Sequence, residues 1–284
     1  MSDIQLNPVA CLSGVEMSKA AERIGVYKSQ KALGDTYLSA AIAGLFISIA
    51  FVFYITVTTG TASVPYGWAK FIGGACFSLG LMLVVVCGVD LFTSTILTCV
   101  ARAGGLISLR QMLMNWFNVY LGNFIGAIIL VAIIWFCGQH NAADGQWGLN
   151  ILATAQHKIH HTFVEAVFLG IMANLMVCLA VWMSYAGRTL IDKTFILILP
   201  IAMFVAGGFE HSIANMYMIP MGIVIQTFAE PSFWQSIQLS PQQFADLTVA
   251  AFIVKNLIPV TLGNILGGLM VGLPFQRLYL SKAH

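Results

Sequence analysis

The sequence predicts an all-α integral membrane protein of six transmembrane helices, built as an inverted 3+3 repeat in which spans two and five are broken. Three observations carry that reading. The first is composition: of 284 residues, 59% are hydrophobic and 8% charged, where a soluble domain carries about a quarter charged. Thirteen Lys+Arg against 11 Asp+Glu leave +2, which excludes a nucleic-acid partner and cannot cover a soluble surface. A chain this apolar would not stay unfolded in water either. The second is a series of six apolar stretches, each long enough to cross a bilayer, which takes about 20 residues. The third is a similarity between the two halves of the chain.

The elements follow in order. Residues 1–35 are the polar part, with Glu16, Lys19, Glu22, Arg23, Lys28 and Lys31, and lack the uninterrupted apolar run of a cleaved signal peptide. Leu12, Val15, Ala20 and Ile24 recur at three to five residues. That spacing reads as a short amphipathic helix lying against the lipid interface or the rest of the protein, not as a span. The apolar stretches are 36–59, 71–101, 113–137, 163–186, 195–228 and 248–276, and residues 277–284 form a tail. Residues 71–101 as one straight helix would run about 46 Å, against a hydrocarbon core of ~30 Å. Residues 195–228 are longer still and hold Pro200, Gly207, Gly208, Glu210, His211 and Pro220. A break near mid-membrane accounts for both. Cys11, Cys76, Cys87, Cys99, Cys137 and Cys178 show no CxxC spacing and read as small core fillers rather than disulfides or metal ligands.

Residues 115–126 (NWFNVYLGNFIG) and 256–267 (NLIPVTLGNILG) agree at six of 12 positions, at an offset of 141. Gly88-Val89-Asp90 in span two is matched by Gly208-Phe209-Glu210 in span five. The channel domain, 36–276, therefore divides into halves at 36–137 and 163–276. Three spans in each force the second half to enter the membrane from the opposite side. An inverted repeat with one broken helix per half is a transport architecture, with its site where the breaks meet. With a cytoplasmic N-terminus, ten Lys and Arg fall inside and only Lys70, Lys158 and Lys255 outside, so both termini are cytoplasmic by the positive-inside rule.

Charges buried in such spans cost several kcal/mol and mark functional positions. Asp90 and Glu210 each follow Gly-x and precede a new helical run, where a carboxylate caps the N-terminus of a half-helix. His211 stands at the break and is assigned to the pore. Leu91-Phe92-Thr93-Ser94 is read as the irregular turn, its Thr93 and Ser94 hydroxyls serving a passing anion or the local backbone. Asn123 and Asn264 are paired by the repeat, amid Gly122, Gly126, Gly263 and Gly267, glycines that let helices approach closely. Their amides either tie down the broken helices or, for one of them, reach the lumen. Leu81 and Phe204 lie in the first portions of the broken helices, open between bundle packing and a lumen position. His157-Lys158-Ile159-His160-His161 lacks a carboxylate or cysteine at fitting positions and reads as a solvated loop with a basic mouth, not a metal site.

These residues resemble the formate/nitrite transporter family along nearly the whole chain. The matching stretches are 46–61 (FISIAFVFYITVTTGT), 87–94 (CGVDLFTS), 146–150 (QWGLN), 175–188 (LMVCLAVWMSYAGR), 208–222 (GFEHSIANMYMIPMG) and 256–268. The form Asp-Leu-Phe-Thr-Ser at 90–94 is of the formate type, where nitrite-type members tend to read Glu-Leu-Phe-Thr-Gly. The resemblance implies an aquaporin-like fold, a homopentamer with one pore per subunit in the bacterial inner membrane, and no cofactor. The implied function is a pH-dependent channel for small monovalent anions, chiefly formate. Leu81, Leu91 and Phe204 are then apolar constrictions on either side of His211. Thr93, His211 and Asn264 are the polar lining between them, and Lys158 lies in the periplasmic vestibule. His211 is expected to share a proton with formate, because burial favours the neutral pair; the milder alternative is a hydrogen-bond donor and electrostatic well.

Within transport, the alternatives are a proton-coupled formate symporter and a nitrite or hydrosulfide channel. A haem carrier places His on facing spans, and here only His211 is deep; an intramembrane hydrolase needs a nucleophile paired with a base. The chain is therefore read as no enzyme. The N-terminal helix is read as a regulatory segment at the cytoplasmic pore mouth and a surface for a cytoplasmic partner. Deleting residues 1–28 is expected to leave insertion and assembly intact and to change the pH dependence of formate flux into liposomes. An unchanged profile would exclude a regulatory role.

Overall fold

The computed structural model describes residues 11–280, and every regular element among them is helical. Helix α1 (Gly14–Gln30) opens on a capping box in which Ser13 accepts from the Glu16 amide and the Glu16 carboxylate accepts from that of Ser13, fixing both ends of the first turn. It docks on the rest of the protein through Ser18, Ala21 and Gly25, while Val15 is 41% exposed. The small residues mark the line of closest approach, and Met17 and Val26 pack against the core on either side of it. A Cβ on Gly25 would stand 2.9 Å from that of Ala101.

Helices α2 (Leu33–Thr58) and α3 (Tyr66–Cys87) follow, then a break, α4 (Phe92–Thr95), a 3-10 turn and α5 (Cys99–Ala103). The first half closes with α6 (Leu109–Phe136). Helix α7 (Gln146–Ile159) leads into the second half, which holds α8 (Phe163–Ser184), α9 (Leu190–Ala206), a second break and α10 (Ser212–Phe228). Beyond α11 (Pro231–Ser236), α12 (Val249–Ala251) and the π-helical stretch Phe252–Leu257 lead into α13 (Ile258–Tyr279). Five helical runs are long and apolar enough to cross a membrane: α2, α3, α6, α8 and the run Pro241–Tyr279; Ser212–Phe228 is a shorter apolar helix.

Four expectations are corrected. The chain leaves helix at Gly88–Leu91 and is helical again from Phe92, so Thr93 and Ser94 belong to the restarting helix and not to the turn. Of the solvated loop expected at 157–161, residues 157–159 end α7, with Lys158 drawn in by the buried charge described below, while the His160 side chain beyond them is exposed. Helix α2 starts at Leu33 and α13 runs through Arg277 to Tyr279, taking residues from both expected flanks; 281–284 lie outside the described residues. Of the cysteines, Cys99 and Cys178 are buried, whereas Cys11, Cys87 and Cys137 are exposed.

Glycine sets the helix packing. A Cβ on Gly44 would collide with the carbonyl of Asn123, and one on Gly126 with that of Ala41, which seats α6 directly on α2. On α13, Gly263 and Gly267 meet the carbonyls of Val167 and Ile171 and seat it on α8. Gly74 of α3 would place a Cβ 2.6 Å from the carbonyl of Ala202 of α9. Where lipid offers no hydrophobic drive between helices, such close approach is what holds them together.

Gly263→Ala is expected to destabilise the detergent-solubilised protein by about 1–3 kcal/mol, because backbone cannot yield to the added methyl. A lowered melting temperature would register it. Gly67→Ala, with nothing within 4 Å of its Cβ, is expected to melt as the parent does.

Candidate functional site

The two breaks are made alike. Helix α3 ends at Gly88 (φ 69°) and α9 runs out just before Gly208 (φ 70°), left-handed conformations that glycine adopts freely. The Val89 amide donates to Val84 O at 3.1 Å and the Phe209 amide to Phe204 O at 3.2 Å, closing each helix in the same six-residue turn. The restarting helices begin with unpaired N–H groups. Asn123 Oδ1 accepts from the Phe92 amide at 2.8 Å, while its Nδ2 donates to Ala40 O at 2.7 Å and Asp90 O at 2.9 Å. Asn264 matches it bond for bond, with the Ser212 amide at 2.9 Å, Gly170 O at 2.8 Å and Glu210 O at 2.9 Å.

That pattern fixes the Asn264 amide, which is fully buried and committed to backbone, and it corrects one reading. Asp90 and Glu210 are not caps, because Leu91 and His211 occupy the cap positions and both carboxylates are claimed by cations. Asp90 pairs with Lys31, stands 3.3 Å from Lys28 and accepts from Ser39 Oγ at 2.8 Å. Burial pushes the Lys28 ammonium down from the ordinary lysine range, against the pull of Asp90. Glu210 takes Lys158 at 2.8 Å, Asn215 at 2.6 Å and Asn256 at 3.1 Å, with His161 at 3.7 Å. The supporting backbone is matched too: Asn115 Nδ2 donates to Lys28 O at 3.0 Å, and Asn256 Nδ2 to Lys158 O at 2.9 Å. Helix α1 therefore stands to Asp90 as α7 stands to Glu210. Lys158 is buried, 9% exposed, rather than solvated.

His211 caps α10 itself, its Nδ1 accepting from the Ala214 amide at 3.1 Å, while Nε2 lies 2.9 Å from Thr93 Oγ1. An accepting Nδ1 leaves the ring proton on Nε2, directed at the threonine hydroxyl. This contact joins the restart of one half to the restart of the other, and both residues are buried. The Phe204 ring sits 5.8 Å from the imidazole and 5.7 Å from Phe77. A cavity of about 360 Å³ is bordered by Phe204, His211, Glu210, Lys158, Phe51 and Lys70. Leu81, Leu91 and Thr93 are buried and do not border it. Sequence reasoning missed Lys28, Lys31, Ser39, Asn115 and Asn256 as site residues. Asn115 and Asn256 had a signal, being the first matched letters of the repeat. Among the described residues, no group of three or more His, Cys, Asp or Glu could hold a metal ion.

A sequence model described as formate/nitrite transporter matches residues 15–276. The chain is 61% identical over 277 residues to the formate channel FocA of Escherichia coli strain K12, covering 97% of each. It is 56% identical over 280 residues to the formate channel FocA of Haemophilus influenzae, covering 99% of this chain and 98% of that one. Its structure is similar to that of a pentameric formate channel with formate bound, with TM-score 0.85 and 52% identity over 89% of this chain and 99% of that one. In fold alone it is similar to an FNT family ion channel, with TM-score 0.75 and 24% identity over 93% of this chain and 98% of that one.

Lys158→Met leaves the Glu210 charge buried without its main partner and is expected to cost about 3–5 kcal/mol of stability. Adding Glu210→Gln removes that charge and is expected to restore most of the loss, read as the melting temperature in detergent. A double variant no more stable than the single one would show that the pair does not carry this corner of the fold.

Proposed function

The chain belongs to the formate/nitrite transporter family, and on that premise we propose that it is a formate channel of the bacterial cytoplasmic membrane, working as a homopentamer with one pore per subunit. Six spans result when α3 with α4–α5, and α9 with α10, each count as one broken span. The two halves are inverted, a reading supported by the matched bonds at the breaks. The positive-inside balance puts both termini in the cytoplasm. Large side chains such as Trp68, Phe136, Phe168 and Ile191 point away from the chain's own core, which suits lipid or neighbouring subunits. On α1, Lys19, Arg23 and Tyr27 stay exposed and offer a cytoplasmic partner a face.

The observation that carries the reading is a cavity lined by the Phe204 ring and the His211 imidazole, whose N–H meets the buried hydroxyl of Thr93. Phe204, with Leu81 and Leu91 deeper in, gives a passing ion no replacement for its hydration. The Nε2–H of His211 and the hydroxyl of Thr93, bonded to each other when no anion is present, become two donors for the two oxygens of a small planar carboxylate once that bond opens. Lys158 lies on the same cavity. To give formate a proton and remain neutral, His211 would first have to carry two. Its Nδ1 already accepts from the Ala214 amide, so a second proton there would break the cap. Hydrogen-bond donation and an electrostatic well therefore fit the geometry better than proton sharing.

Labelled formate is expected to enter liposomes holding the protein without a proton gradient; uptake only with a gradient would make it a symporter. His211→Asn keeps both an amide donor and a good N-cap residue. It is expected to keep formate flux within about tenfold of the parent, by loss of roughly one hydrogen bond, with an unaltered pH profile. Loss of flux at neutral pH together with a measurable formate current would restore proton sharing.

A further inference from the structure

Taking the cavity as the mouth of a formate pore, we infer that Lys70, rather than Lys158, captures the anion, at an outer station beyond the one His211 provides. Lys158 is poorly placed to attract from a distance. Its ammonium lies 2.8 Å from the Glu210 carboxylate, with 11% of its side chain exposed, so an approaching ion meets a neutral pair. His161 faces that carboxylate as well, at 3.7 Å. His157 also borders the cavity, and burial, with the neighbouring His161 and Lys158, holds it below the ordinary histidine range. Its ring is therefore neutral at neutral pH.

Lys70 differs on each count. Among the described residues no carboxylate pairs with it. It borders the cavity that His211 lines and also a second one of about 440 Å³, so it stands where the two adjoin. Its position is built rather than loose. Nζ donates to Tyr54 Oη at 3.2 Å and lies over the rings of Tyr54 and Tyr66, 6.0 and 5.6 Å from their centres. Aromatic faces steady an ammonium without cancelling its charge. Because the Tyr54 oxygen accepts from Lys70, its own O–H remains to donate. A small anion at Nζ would thus meet a full positive charge and a hydroxyl donor together, while Thr154 borders the same space. A charged, low-dielectric mouth raises the local concentration of its ion in a way that salt screens. Lys70 is therefore a specificity residue for anions as a class, and the His211–Thr93 contact selects among them.

The test uses the full-length protein in liposomes and in crystals. Lys70→Gln is expected to raise the half-saturating formate concentration about threefold at low ionic strength, with maximal flux unchanged, and the difference should fade at high salt. Lys70→Arg should match the parent. Crystals of the parent soaked in bromide should show anomalous density beside Lys70 Nζ, absent from Lys70→Gln. Equal loss of maximal flux in the Gln and Arg variants would mean that Lys70 only tethers Tyr54 and would overturn the assignment. So would a salt-independent effect, or bromide found at Lys158 and not at Lys70. A parent protein that passes no formate would defeat the channel reading alone, since the bromide experiment decides the station without transport.

Discussion

Two helices that stop inside an apolar layer leave backbone N–H and C=O groups that no water can satisfy, and the rest of the structure is arranged around that constraint. One asparagine amide meets it at each break: Asn123 joins the Phe92 amide to the carbonyls of Ala40 and Asp90, and Asn264 does the same at Ser212, Gly170 and Glu210. A side chain this short reaches three backbone groups only if its helix lies on its neighbour. That is why Gly126 and Gly263 sit one turn or less from the amides they position, each against a facing carbonyl.

The same constraint explains the charges. A carboxylate at each turn would be untenable alone, and each is met by a lysine from an amphipathic helix that precedes its half, Lys28 from α1 and Lys158 from α7. A second basic residue three positions on joins it, Lys31 in one case and His161 in the other. The N-terminal helix is thus the counterpart of α7 and part of the structural unit, not an appendage to it. The two clamps differ in chemistry: one second partner is a lysine ammonium and the other an imidazole.

How much of this was legible depended on which physical signal each residue left. Span lengths showed that breaks exist, because a helix of fixed rise cannot fit 71–101 or 195–228 into the hydrocarbon core. The repeat singled out Asn123 and Asn264, yet could not say that both are tied to backbone, since lumen and backbone positions share the same glycine surroundings. Asp90 and Glu210 were misread as caps because Gly-x-acid before a helix has that local form. Their real partners lie 59 and 52 residues away, beyond any local pattern. Lys158 looked solvated in a string of basic residues, and only the fold turns it inward.

One contact has a reach larger than its size. Thr93 stands three residues past Asp90, and His211 directly follows Glu210, so the 2.9 Å bond between them links the two clamps as a short lever links two latches. The restart of each half is thereby held against the restart of the other through a single hydrogen bond between two buried side chains.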